Sequence, residues 1–125
     1  MTLKLKSLLG GALLAASTMV FSPSVWAHAH LKSQVPVADS TVETAPDALT
    51  LTFTENIEPA FSGVEIIDDA RQSQSISKTS VTPEARNQMN VTLAKPLASG
   101  RYQVNWHVLS VDGHKLKGSY RFTVK

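Results

Sequence analysis

The residues best suited to chemistry in this chain are four histidines, at 28, 30, 107 and 114, and a few carboxylates near them, with no cysteine anywhere. His28 follows Val25, Trp26 and Ala27, so small residues stand three and one positions before it, as a signal peptidase requires. Upstream, Lys4 and Lys6 precede an apolar run from Leu8 to Phe21, which completes the layout of an export signal. A membrane anchor fits less well, because Gly10, Gly11, Ser17 and Thr18 interrupt a run that falls short of the roughly 20 residues needed to span a bilayer. Residues 1–27 are therefore expected to be a cleaved signal peptide and residues 28–125 the mature domain. Cleavage would make His28 the first residue, and an amine and imidazole on one residue can chelate a metal in a six-membered ring. A chain-terminal amine ordinarily titrates at about 7.7 to 8.0, so it is available near neutrality. Two nitrogens held together suit copper(II), which accepts tetragonal nitrogen and oxygen ligation.

Asp112 and His114 lie two apart across Gly113, in the turn SVDGH. If that turn sits beside the N-terminus, the amine, His28, His114 and Asp112 supply three nitrogens and one carboxylate oxygen, enough for a coordination square. Read locally, Asp112-Gly113 is equally an ordinary turn and His114 an exposed loop residue. His30 offers a competing site: an imidazole at position three of a free chain end lets copper(II) take the amine, two deprotonated backbone amides and the ring. That arrangement requires the two amides to be unpaired. His107 alternates out of phase with Trp106 and reads as a surface histidine or a neighbour of the site. Glu55 and Glu58 follow a strand and are either an extra oxygen ligand or solvated loop carboxylates. Met89, the only methionine after residue 27, and Trp106 fall in core phase; an indole near bound copper would also report it by quenching.

The elements that must position these residues alternate at period two, the pattern of strands with one buried face. Ala48 to Thr54 presents Leu49, Leu51 and Phe53 on one side and threonines, whose branched Cβ suits a sheet, on the other. Gly63 to Asp68 offers Val64 and Ile66, with Ile67 suggesting cover on both faces. Gln88 to Leu93, Arg101 to Val108 and Ser119 to Lys125 follow, joined by a strand from about Ala29 to Gln34 and one or two weak ones between Gln72 and Val81. PLASG, from Pro96 to Gly100, reads as a tight reversal, SVDGH as another, and TPEARNQM from Thr82 as at most one helical turn. About seven strands with short turns predict an all-β domain, two antiparallel sheets packed as a Greek-key sandwich, with a small closed barrel as the alternative.

Charge and composition exclude several classes. The chain's formal charge of +2 belongs to Lys4 and Lys6; beyond residue 27 ten Lys and Arg face ten Asp and Glu. Such a balance gives no reason to expect a nucleic acid or an anionic membrane as partner, and no insertion of the mature chain into a membrane is expected. Without cysteine there is no disulfide, thiolate copper site or lipid-bearing N-terminal cysteine. No GxSxG, HExxH or phosphate-binding glycine loop is present.

The chain resembles the CopC type of periplasmic copper-resistance protein and, within it, the YobA-like branch. The resemblance rests on HAHLKSQVPVADS, on LTLTFTENIEPAFSGVEI, and above all on YQVNWHVLSVDGHKLKGSYRFTV, which follows the pattern W-x-V-x-S-x-D-G-H-x-x-x-G-x-x-x-F-x-V. It implies an immunoglobulin-like or cupredoxin-like sandwich in the periplasm binding one copper(II) ion per mature chain. His28, Asp112 and His114 would correspond to the family's ligands and His30 to a position usually without a direct ligand role, while Glu55 falls near a carboxylate considered as an additional ligand in some members. The chain departs from members that carry a methionine-rich copper(I) loop, since Asp68 to Asn90 offers Ser, Gln and Thr with Met89 alone. Any membrane copper transporter it works with must be a separate protein, and the mature chain is expected to be a monomer. The expected role is to buffer or carry copper(II) in homeostasis or resistance, with no catalysis. Two other classes stay open at this point: an immunoglobulin-like docking module without a functional metal, and a copper-dependent oxidative enzyme.

Overall fold

A computed structural model describes residues 30–125. Eight strands form in it: β1 (Leu31–Val35), β2 (Thr41–Val42), β3 (Ala48–Phe53), β4 (Gly63–Asp68), β5 (Ile76–Thr82), β6 (Ala85–Leu93), β7 (Gly100–Leu109) and β8 (Lys115–Val124), with one 3₁₀ turn at Pro59–Phe61. They make two four-stranded sheets, in the orders β1-β3-β6-β5 and β2-β8-β7-β4. All pairings are antiparallel except that of the two-residue β2 with β8.

The alternation read from the sequence is what makes the sandwich. Leu49, Leu51 and Phe53 of β3 and Met89, Val91 and Leu93 of β6 turn inward from the first sheet. They meet Ile66 of β4, Tyr102, Val104, Trp106 and Val108 of β7, and Tyr120, Phe122 and Val124 of β8. Each of these side chains would leave an apolar face wet in a single sheet, and burying them between two removes it. Phe53 and Trp106 meet edge to face across the gap, with ring centroids 5.3 Å apart at 66°, the geometry the ring quadrupoles prefer. Met89 is fully buried and Trp106 nine-tenths buried, as their phase predicts.

Three local expectations are corrected and one short strand is added. TPEARNQM contains no helical turn: Thr82 ends β5, Ala85 opens β6, and the two strands pair directly as a hairpin. The helix-favouring residues there yield to cross-strand pairing, since β6 must place Met89 and Val91 in the core. PLASG is not a reversal within one sheet but an arch, because β6 and β7 belong to different sheets. It is pinned by the Tyr102 hydroxyl donating to the Ala98 carbonyl at 2.7 Å and by burial of Leu97. One strand, β5, occupies the stretch where one or two are expected, and β2 escapes a reading by alternation, being too short to alternate. β4 is not covered on both faces: Ile66 is fully buried, but Ile67 on the opposite side is only partly covered.

The consequence for function is that several chain segments meet at one end of the sandwich. These are the start of β1, the connection from β3 to the 3₁₀ turn, the start of β6 and the β7–β8 turn. The Ile57 amide donates to the Arg86 carbonyl at 3.0 Å, and Ile57 forms a bridge with Ser110. The Glu58 amide donates to the Leu109 carbonyl at 2.8 Å and the Val111 amide to the Asn56 carbonyl at 3.1 Å.

Candidate metal centre

The β7–β8 hairpin ends in a turn held by its own backbone: the Ser110 amide donates to the His114 carbonyl and the Gly113 amide to the Ser110 carbonyl, both at 2.9 Å. Gly113 adopts φ of 93°, a conformation that L side chains resist, which is why glycine follows Asp112 here. The strand's alternation continues one step past Val108, so Ser110 takes the inward phase and is fully buried.

A buried hydroxyl must find partners, and those of Ser110 organise the turn. Its proton goes to Oδ1 of Asp112, and its oxygen accepts the amide of His114 at 3.2 Å. Nδ1 of His114 lies 3.1 Å from the same Oδ1. The Ser110 hydroxyl, then the His114 imidazole, hold the exposed Asp112 carboxyl below the usual carboxylate range. Each bond to the charged oxygen favours the ionised form. With Nδ1 donating to Asp112, the neutral imidazole of His114 carries its lone pair on Nε2, the arrangement in which a carboxylate fixes the tautomer of a ligating histidine. An ionised carboxylate and an oriented imidazole nitrogen on one turn are a hard oxygen and a borderline nitrogen donor, chemistry suited to a divalent transition ion.

Of the residues singled out in the sequence, the fold brings Asp112 and His114 together; His28 lies outside the described residues. Among the described residues no group of three or more histidines and carboxylates forms a metal cluster. His30 is at the same end of the sandwich: its amide donates to Thr54 Oγ1 at 2.8 Å and its carbonyl accepts from the Thr54 amide at 2.9 Å. The amide that a chain-end site would have to deprotonate is therefore engaged as a donor. Glu55 falls between Thr54 and Asn56, in the segment that ties His30 to the hairpin turn through the Asn56 carbonyl. Glu58 joins the same end by its backbone. His107 is exposed on the outer face of β7, in register with Gly63 and Lys117. Its ring lies across Gly63, where a Cβ would come 3.2 Å from Cε1. Met89, in the core, presents no thioether to a surface site.

Sequence reasoning passes over Ser110 and Thr54. A signal for Ser110 is there to read: a hydroxyl in the buried phase of β7, immediately before an Asp-Gly turn. Thr54 gives none, because its role depends on the strand pairing of β1 with β3.

Comparison with known proteins matches residues 31–125 to the CopC domain. Protein YobA of Escherichia coli K12 is 45% identical over 114 residues, 91% of this chain and 92% of the relative. Copper resistance protein C of Pseudomonas syringae pv. tomato is 33% identical over 90% of this chain and 92% of its own. The crystal structure of CopC from Methylosinus trichosporium OB3b superposes with a TM-score of 0.73 at 31% identity, covering 78% of this chain and 94% of that one. That of PcoC, a methionine-rich copper resistance protein from Escherichia coli, gives 0.70 at 36% identity over 79% and 100%. A domain match over the whole described β-sandwich and relatives alike over nine-tenths of their length leave one conclusion: the chain belongs to the CopC family, periplasmic β-sandwich proteins of copper homeostasis that carry or buffer the metal without catalysis.

Proposed function

We propose that the mature protein comprises residues 28–125 and carries or buffers one copper(II) ion, held by the amine and imidazole of His28 together with Asp112 and His114. The observation that supports this most is the Ser110–Asp112–His114 network. It keeps a carboxylate ionised and an imidazole oriented at the end of the sandwich where β1 begins. His30 is hydrogen-bonded to Thr54, and Asn56, two residues on, is bonded to Val111 of the turn. Two residues of chain reach at most about 7 Å, so His28 lies no further than that along the chain from His30, which stands at the same end of the sandwich as the turn. A site of three nitrogens and one oxygen fits copper(II) tetragonally. It also joins two segments far apart in sequence, so metal binding stabilises the fold.

Burial of Met89 leaves a thioether copper(I) site out of this reading, and with it any shuttling of copper between two sites within the chain. Delivery or removal of the ion then falls to a separate protein, such as an inner-membrane copper transporter. Among the described residues no helix is long and apolar enough to cross a membrane.

The experiment that tests the N-terminal half of the site is a competition titration of the mature chain against the same chain with one alanine added before His28. The addition moves the amine off His28 and leaves the sandwich alone. The expected result is a loss of copper(II) affinity of at least a hundredfold; equal affinities would contradict the reading.

A further inference from the structure

The outer face of the β7–β8 hairpin carries a feature that copper ligation does not use. Beside the turn, Leu109 floors a groove of about 420 Å³ flanked by Phe61, His107, Lys115 and Lys117; Leu116 also borders it, but it pairs with Val108 and packs its side chain against the core. Phe61 is 65% exposed, unusual for a large aromatic side chain with a core so close. It stands where it does because the 3₁₀ turn Pro59–Phe61 projects it over the hairpin, anchored by the Ser62 hydroxyl, which accepts the Leu109 amide at 3.1 Å. No carboxylate lines the groove. Of the acidic residues close by, Asp112 is engaged by Ser110 and His114, while Glu58, whose amide donates to the Leu109 carbonyl, lies outside the lining. Among the described residues Lys115 and Lys117 form no ion pair. In a chain whose charges balance beyond residue 27, this places two cations beside an exposed aromatic and a half-covered leucine.

We propose that this groove is the docking site for an acidic segment, bearing an apolar side chain, of the protein that exchanges copper with this one. The occupant's chemistry follows from charge complementarity: rim lysines attract and orient carboxylates, and an aromatic over an apolar floor accepts a single anchoring side chain, the usual centre of binding energy. Its purpose follows from position. Leu109 and Lys115 flank the turn that carries Asp112 and His114, so a segment seated here lies against the ligand-bearing hairpin. Its carboxylates are themselves oxygen donors that copper(II) accepts. The exchange role rests on the copper reading above, while the binding itself does not.

The test uses the metal-free mature protein, labelled with nitrogen-15, and two synthetic peptides: glutamates around one leucine, and the same peptide with glutamines. The glutamate peptide is expected to shift the amides of Phe61, His107, Leu109 and residues 115–117, and the glutamine peptide not to. Affinity should weaken about tenfold between 20 and 200 mM salt, as exposed charges become screened. Lys115→Glu with Lys117→Glu should abolish the shifts and Phe61→Ser should weaken them at least fivefold. All three side chains are exposed, so melting temperatures should stay near the wild-type value. Shifts centred instead on Arg101 and Arg121, equal shifts with the glutamine peptide, or indifference to the charge reversal would overturn the proposal. So would concentration-dependent shifts at the same amides without peptide, which assign the groove to a second copy of this chain. Copper(II) titration of each variant runs in parallel: peptide binding without any high-affinity copper signal would remove the copper reading and leave the groove.

Discussion

Ser110 is the residue on which the geometry of the turn depends. Replacing it with alanine removes the hydroxyl proton from Asp112 and the acceptor from the His114 amide in one step. A single net hydrogen bond contributes about 1 kcal/mol, and loss of a group that orients metal ligands typically lowers affinity about 10- to 100-fold. Ser110→Ala should therefore unfold at slightly lower denaturant yet lose at least tenfold in copper(II) affinity by competition titration; unchanged affinity would show that the turn holds its ligands without the hydroxyl. Asp112 supplies a pH test. Its folded pKa is depressed, so the stability it contributes is present above the unfolded value near 4 and is lost as pH falls through the folded one. The difference in melting temperature between wild type and Asp112→Asn, measured without metal, should accordingly shrink as pH is lowered from 5 to 2. A difference constant over that range would show that the Ser110 and His114 bonds do not stabilise the ionised form.

At the scale of elements, the β7–β8 hairpin is the frame of the site, and its register is fixed from inside by size matching. Trp106 lies opposite Gly118, where a Cβ would come 2.5 Å from Cζ2 of the indole. Gly118→Ala should cost about 2 kcal/mol by overpacking and shift the emission of Trp106, the only tryptophan after residue 27; an unperturbed spectrum and stability would mean the indole moves freely. This hairpin is legible in the sequence because both strands are long and alternate cleanly around Asp-Gly, so Asp112 and His114 can be placed together from the residues alone. The β5–β6 turn and the PLASG arch are not, for a common reason. Whether a short turn joins neighbours in one sheet or crosses to the other depends on how the two apolar faces pack, and local sequence does not encode that. The same limit hides Thr54, whose bonds to His30 exist only because β1 pairs with β3.

For the molecule as a whole, absence of disulfides leaves 98 residues after the expected cleavage to be held by packing, which is feasible but marginal at this size. A metal tying the start of β1 to the β7–β8 turn would add stability in proportion to the logarithm of free metal over Kd, about 2.7 kcal/mol at a hundredfold excess. Copper(II) at pH 7 should raise the melting temperature by several degrees. The gain should fade below about pH 6, as imidazole and amine protonate and release the ion. No rise at pH 7 would contradict a site that joins the two segments.

The measurement that tests the central claim most directly is copper(II) titration of the processed protein by electron paramagnetic resonance, comparing wild type with His114→Ala and His30→Ala. A bridge from the terminus to the turn predicts that His114→Ala loses the high-affinity signal and His30→Ala keeps it. The reverse would put copper on the first three residues alone, at the expense of the His30–Thr54 bond, and would leave the Ser110–Asp112–His114 network without a metal to hold.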